Sequence, residues 1–212
     1  MSRKQDLLSL MNIDISWMKN ISHDEVSHTS FEDLELNSRY CDKCSLSETR
    51  NNVVFGKGSK DAKILIIGEA PGKDEDQSGE PFVGRAGKLL NEILFSMKLT
   101  RDKVYITNTV KCRPPENRNP NSDEIQSCSG FLDSQIDSIS PKIIILLGKV
   151  AAESIMNTTE TMASLRGKVH YYKDTKIPML VFYHPAYLLR SPSEKRKVWD
   201  DILLMRTITD GC

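Results

Sequence analysis

Four short apolar runs mark the chain: Ile64–Gly68, Val104–Thr109, Ile143–Gly148 and Met179–Tyr183. Ile64–Ile67 and Ile143–Leu147 are continuously apolar and rich in isoleucine. That is the pattern of strands covered on both faces. The stretches between them place apolar residues at helical spacing. They predict helices over Ala86–Met97, Ser122–Ile139 and Lys149–Met156, with a last one over about Ser193–Met205. Strands alternating with helices imply an α/β layered fold with a mainly parallel sheet. In such folds ligands bind outside the carboxyl ends of the strands. Most of the polar motifs fall at those ends.

Ahead of this core, Leu7, Leu8, Leu10, Met11, Ile15 and Met18 predict a helix over residues 3–19. Residues 20–38 are polar and acidic, with no lysine or arginine, and read as a linker or loose covering loop. The expected organisation is an acidic extension, 1–38, followed by a core domain, 39–212.

Composition narrows the function classes. At 212 residues, with 39% hydrophobic and 27% charged, the chain can bury a core without disulfides. No apolar stretch approaches the ~20 residues of a membrane span. The first residues do not form an apolar signal core, so the expected location is the cytoplasm, with thiols reduced. The formal net charge is zero, but it is unevenly placed. Residues 1–38 hold three basic and seven acidic side chains, about −4, which leaves about +4 on residues 39–212. A mildly basic core is compatible with nucleic acid without demanding it.

Four of the five cysteines carry a pattern. Cys41 and Cys44 form a CxxC pair, a chelating spacing. Cys112 and Cys128 follow far along the chain, with fifteen residues between them. A disulfide is disfavoured by the compartment. The choice is between a four-cysteine zinc site and an iron–sulfur cluster. Zinc ribbons use two close pairs, and the wide second pair favours iron–sulfur.

Directly after the first apolar run stands Gly68-Glu69-Ala70-Pro71-Gly72-Lys73-Asp74-Glu75-Asp76. It matches neither GxGxxG nor GxxxxGK[ST]. Gly79-Glu80-Pro81-Phe82-Val83-Gly84-Arg85-Ala86-Gly87 follows, then Thr107-Asn108-Thr109-Val110-Lys111-Cys112-Arg113-Pro114-Pro115. Near the end lies His184-Pro185-Ala186-Tyr187-Leu188-Leu189-Arg190. In this order the series closely resembles the family 4 uracil-DNA glycosylases, over roughly residues 38–207. The resemblance implies a three-layer α/β/α domain with a central four-stranded parallel sheet. It implies one 4Fe–4S cluster on Cys41, Cys44, Cys112 and Cys128 that orders loops near the DNA. It also implies hydrolysis of the glycosidic bond of deoxyuridine in single- and double-stranded DNA, which leaves an abasic site for base-excision repair. The partner is uracil-containing DNA, the family default is a monomer, and no motif identifies a downstream repair protein.

Such an enzyme must flip the base out, hold it, and stabilise the leaving uracil anion. Phe82 offers a ring for stacking. The Asn108 amide both donates and accepts, which suits the O4 and N3–H edge of uracil and disfavours cytosine. A ring N–H of His184 suits uracil O2, and backbone N–H groups around Gly68, Glu69 and Ala70 add donors. Ala70 stands where family 1 enzymes carry an aspartate. The resemblance implies Glu69 and Glu75 as the candidates for orienting water, stabilising the sugar cation or excluding thymine. Asp74 and Asp76 read as a solvated acidic loop.

Arg166, Lys168, Arg190, Lys195 and Arg196 are the candidate phosphate contacts. Tyr187 and Leu188 are candidate wedges into the duplex, against burial beneath the last helix. Two rivals are a covalent cross-linking relative and a non-catalytic iron–sulfur or zinc DNA-binding module. The first carries a glutamine where this chain has Ala70.

Overall fold

The computed structural model describes residues 30–209. The helix expected over residues 3–19 lies outside the described residues. In chain order the helices are α1 (Phe31–Arg39), α2 (Leu46–Thr49), α3 (Lys73–Ser78), α4 (Arg85–Ser96), α5 (Ser122–Ile139), α6 (Lys149–Met156), α7 (Met162–Leu165), α8 (Pro185–Arg190) and α9 (Lys195–Thr209). The strands are β1 (Lys57–Gly58), β2 (Ile64–Gly68), β3 (Tyr105–Asn108), β4 (Ile143–Leu147), β5 (His170–Tyr171) and β6 (Pro178–Phe182).

The strands form one sheet in the order β1-β3-β2-β4-β6-β5. The inner four, β3, β2, β4 and β6, are parallel, as expected. The two-residue strands β1 and β5 pair antiparallel at the edges and were not expected from the pattern.

Side chains alternate across a strand, so each apolar run feeds two cores. Ile64, Ile66, Ile143, Ile145 and Leu147 pack with Leu90 and Leu94 of α4 and with Val198, Ile202 and Met205 of α9. Leu65, Ile67, Ile144 and Leu146 pack with Leu132, Ile136 and Ile139 of α5 and with Ala151 and Ala152 of α6. Both faces are covered, which is why these strands read as unbroken apolar runs.

The end of the expected linker is corrected. Phe31–Arg39 is a helix, with Glu32 and Asp33 in its first turn and Arg39 in its last, the charge order its dipole favours. Phe31 meets Phe55 and Tyr105 edge-on at centroid distances of 5.5 and 5.6 Å. Acidic composition hid a helix that one aromatic anchors. Among the described residues no helix is long and apolar enough to cross a membrane.

β2 connects to β3 on one side of itself, and β4 lies on the other. Such a reversal opens a crevice at the carboxyl ends of the strands.

Candidate active site

A cleft of about 460 Å³ opens at that end, lined by Glu69, Phe82, Asn108, His184 and Tyr187 among others. Gly68 ends β2, opposite Asn108 of β3. A Cβ on Gly68 would lie 2.4 Å from Asn108 Oδ1 and 2.6 Å from Phe82 Cζ. Only a glycine lets the ring and the amide close over the strand end.

The Phe82 wall is held in an unusual backbone state. Its φ is 55°, left-handed for a residue with a Cβ. Such residues cost about 1–3 kcal/mol and persist where the surroundings over-determine them. Here Arg101 donates from Nη1 to the Phe82 carbonyl at 3.1 Å and from Nη2 to the Pro81 carbonyl at 2.6 Å. Glu75 completes the clamp. Its Oε1 accepts from the Val83 and Gly84 amides at 2.9 and 3.0 Å, and its Oε2 from Gly72 N at 3.1 Å.

Glu75, one of the two candidate carboxylates, thus spends both oxygens on backbone donors. Asp76 corrects the expected solvated loop, because it is 1% exposed. It accepts from Asn51 N at 2.9 Å and from the Asn51 side chain. Asp74 is exposed, as expected.

Asn108 is 1% exposed, yet its Oδ1 has no hydrogen-bond partner. A buried carbonyl oxygen left unpaired costs about 1–3 kcal/mol, so it marks a place where a donor is expected to arrive.

His184 follows β6 and caps α8. The Ala186 amide donates to its Nδ1 at 3.1 Å, so Nδ1 is unprotonated and Nε2 carries the hydrogen. Burial lowers its pKa to about 4, and Arg190 adds to the effect, so the ring is neutral at pH 7. An unfolded histidine titrates near 6.5. The unfolded chain therefore binds the extra proton first, and this group's contribution to stability falls as pH drops from about 6.5 to 4. Gly148, at the end of β4, makes room for the ring: a Cβ there would lie 2.9 Å from His184 Cβ. The Phe82 and His184 rings stand 5.7 Å apart, 36° from parallel.

Glu69 lies between these groups at the start of the loop after β2. Its carbonyl accepts from Thr109 Oγ1 at 2.6 Å, which fixes the backbone. Burial raises its carboxyl above the ordinary range. Ala70 is partly buried beside it.

The candidate phosphate and wedge residues separate into two groups. Arg166 is corrected: it donates from Nε and Nη2 to Asp201 at 2.9 and 2.6 Å, and lies 4.3 Å over the Tyr183 ring. Its side chain is 10% exposed, so it braces α9 against the sheet side. Leu188 is corrected as well: at 1% exposed it belongs to the core beneath α9. The helical spacing of α8 turns it inward and leaves its neighbour Leu189 36% exposed. Lys168, Arg190, Lys195 and Arg196 are exposed. Tyr187 and Arg190 line the cleft, and Tyr187 packs on Tyr183 at 4.9 Å.

Sequence reasoning missed Asn117, Arg118 and Asn119, which also line the cleft. Arg118 grips Glu124 through two bonds of 2.9 and 2.6 Å. Glu124 and Asn121 cap α5 reciprocally. The signal was legible as the capping pattern Asn121-x-x-Glu124.

Cys41, Cys44, Cys112 and Cys128 all line one chamber between α1, α2 and α5. Among the described residues, no group of three or more His, Cys, Asp or Glu side chains is arranged to hold a single metal ion. Arg50 donates from Nη1 to Cys112 Sγ at 3.2 Å. Burial pushes the Cys112 thiol up to about 11, against the pull of Arg50. Lys111 lines the same chamber. Burial lowers its pKa to about 8, while the Cys128 and Cys112 sulfurs oppose the shift.

Comparison with known proteins adds an independent line. Residues 55–203 match the family model described as the uracil DNA glycosylase superfamily. The chain is 42% identical over 178 residues to a type-4 uracil-DNA glycosylase of Archaeoglobus fulgidus, covering 81% of this chain and 89% of that one. It is 43% identical over 175 residues to the type-4 enzyme of Sulfurisphaera tokodaii, 79% of this chain and 80% of that one. Against the type-4 enzyme of Saccharolobus solfataricus the identity is 45% over 170 residues, 77% and 79% of the two chains.

Proposed function

Because the chain belongs to the type-4 branch of the uracil-DNA glycosylase superfamily, we propose that it removes uracil from DNA and begins base-excision repair. The observation that carries this reading is the buried, unpartnered Oδ1 of Asn108 in the cleft. The imide edge of uracil supplies the missing donor, N3–H, while Asn108 Nδ2 faces the O4 acceptor. Cytosine presents an amino group and an unprotonated nitrogen at the same places and leaves both pairs mismatched.

The base enters the cleft flipped out of the stack, in single- or double-stranded DNA, and stacks on Phe82. The C1′–N1 bond breaks, and its electron pair moves onto the uracil ring. The charge reaches O2, where the Nε2–H of His184 donates to it. A neutral histidine suits that task, since its Nε2–H donates to the developing anion as a preorganised hydrogen bond, with no proton transfer required. Water adds its oxygen to C1′, and its proton leaves with the base. Glu69 is the group for orienting that water and for facing the cationic sugar, because its carboxylate is free of backbone partners. Glu75 positions the Phe82 loop. Lys168, Arg190, Lys195 and Arg196 contact phosphates, and Tyr187 flanks the emptied stack.

Cys41, Cys44, Cys112 and Cys128 would hold a 4Fe–4S cluster. What supports the reading is the donor set: four thiols line one chamber, and Arg50 and Lys111 line it with them. When bound, the group supplies a cross-link between the chain before β1 and the loop leading into α5, with no part in bond cleavage. We assign catalysis to residues 39–212 with the helix Phe31–Arg39 packed on them, acting as a monomer in the cytoplasm, and the residues before Phe31 to an extension.

The test is release of free uracil from an oligonucleotide with one deoxyuridine, followed by alkaline cleavage at the abasic site. Thymine and cytosine strands run alongside. Turnover confined to uracil supports the reading, and no release from iron-loaded protein sinks it. A band that survives denaturant would point to the cross-linking relatives.

The pH profile provides a second check. A Glu69 carboxylate needed in its ionised form makes the rate fall as pH drops through a pKa above the ordinary carboxylate value of 4.5. Glu69→Gln is expected to lower the neutral rate by about 10²–10⁴-fold and to flatten that acid limb. A limb unchanged in Glu69→Gln would remove Glu69 from the mechanism.

A further inference from the structure

Lys111 is 2% exposed, and its Nζ sits among three oxygens: Thr107 Oγ1, the Asn108 carbonyl and Gln135 Oε1, each at 2.7 Å. The Thr107 hydroxyl donates to the Phe55 carbonyl at 2.8 Å, so towards Lys111 it accepts. Gln135 Nε2 donates to the same Phe55 carbonyl at 2.9 Å, which turns Oε1 to Lys111. Three acceptors require three protons on the nitrogen, and only the ammonium has them.

Among the described residues no carboxylate pairs with that charge. A buried, unpaired cation is strongly unfavourable. Lys111 instead lines the chamber of the four cysteines. Four thiolates around an iron–sulfur core carry net negative charge, the partner this cation lacks.

We propose that Lys111 is the internal counter-charge of the cluster and the positioning residue that ties the cluster to the base-reading Asn108. The link is covalent on one side, through Cys112, and hydrogen-bonded on the other, through the Asn108 carbonyl. The inference rests on the cluster and uracil assignments proposed above. Iron content and uracil release of the unaltered protein are therefore read first: failure of either sinks those assignments and with them the role of Lys111, whereas the variants below test that role alone.

The test compares Lys111→Met with Arg50→Gln in the iron-loaded protein. Two quantities are followed: the reduction potential of the cluster, and kcat and KM on a deoxyuridine oligonucleotide. Lys111→Met is expected to make the potential more negative, because a lost cation disfavours an added electron. It is also expected to lower kcat/KM by about tenfold, as one misplaced hydrogen bond does. Arg50 touches Cys112 and has no bond to Asn108, so Arg50→Gln is expected to move the potential and leave KM unchanged. A Lys111→Met protein with wild-type potential and kinetics overturns the proposal. If Lys111→Met loses its cluster, Thr107→Val decides. It keeps the charge and removes one anchor, so it is expected to raise KM at constant potential, and an unchanged KM overturns the tie to Asn108.

Discussion

Replacing His184 with alanine is expected to slow uracil release by about 10²–10³-fold in single turnover, the loss seen when one donor to a developing anion is removed. The effect belongs in the bond-breaking step, because negative charge gathers on O2 only as C1′–N1 opens. KM is therefore expected to change little. The state of the ring sharpens the test. With Nδ1 accepting from Ala186 and the pKa near 4, the unaltered enzyme keeps its Nε2 donor throughout the neutral range. No loss of activity is expected around the ordinary histidine value of 6.5. A His184→Ala rate within threefold of wild type, or an acid limb centred near 6.5 that the substitution removes, would contradict a neutral donor. The alanine variant also loses the cap on α8, so its melting temperature should be recorded beside the rate.

Asn108→Ala is the second large effect, and it should appear in both binding and rate. The substitution leaves the imide N–H and O4 of a buried base without partners. Each unpaired group costs about 1–3 kcal/mol, which together correspond to roughly 10²–10⁴-fold in kcat/KM. Selectivity is the better readout. With the amide gone, nothing distinguishes the uracil edge from that of cytosine, so the ratio of the two activities should shrink by more than stability changes can explain. The substitution also removes the unpartnered Oδ1, so the free protein is expected to be no less stable. A variant that is destabilised yet keeps its uracil preference would assign Asn108 to the fold.

The parts of the molecule legible in the sequence are those set by local periodicity. β2 and β4 stood out because strands buried on both faces need apolar residues at every position. α5 was readable end to end, since its apolar spacing is regular. Sequence motifs also brought Glu69, Phe82, Asn108 and His184 to one cleft, because each follows or faces the end of a parallel strand. The failures share a cause in long-range pairing. Arg166 read as a surface cation, since its partner Asp201 lies 35 residues away. Asp76 read as solvated because its Asn51 donors come from a different loop. Lys111 could not be suspected, since lysine is rarely buried and its acceptor Gln135 on α5 is 24 residues distant. β1 and β5 are two residues each, too short to leave a period.

The sheet separates tolerance to change from chemistry. Asn108, Glu69 and His184 all hang from the carboxyl ends of β3, β2 and β6, within reach of the loop that carries Phe82. The opposite rim is built of turns such as those before β2 and β4. There a longer connection would cost little more than loop entropy, about 0.6 kcal/mol per doubling of length. Lineages carrying this fold are thus free to lengthen, shorten or decorate one edge of the domain while the other is held to the shape of a single base.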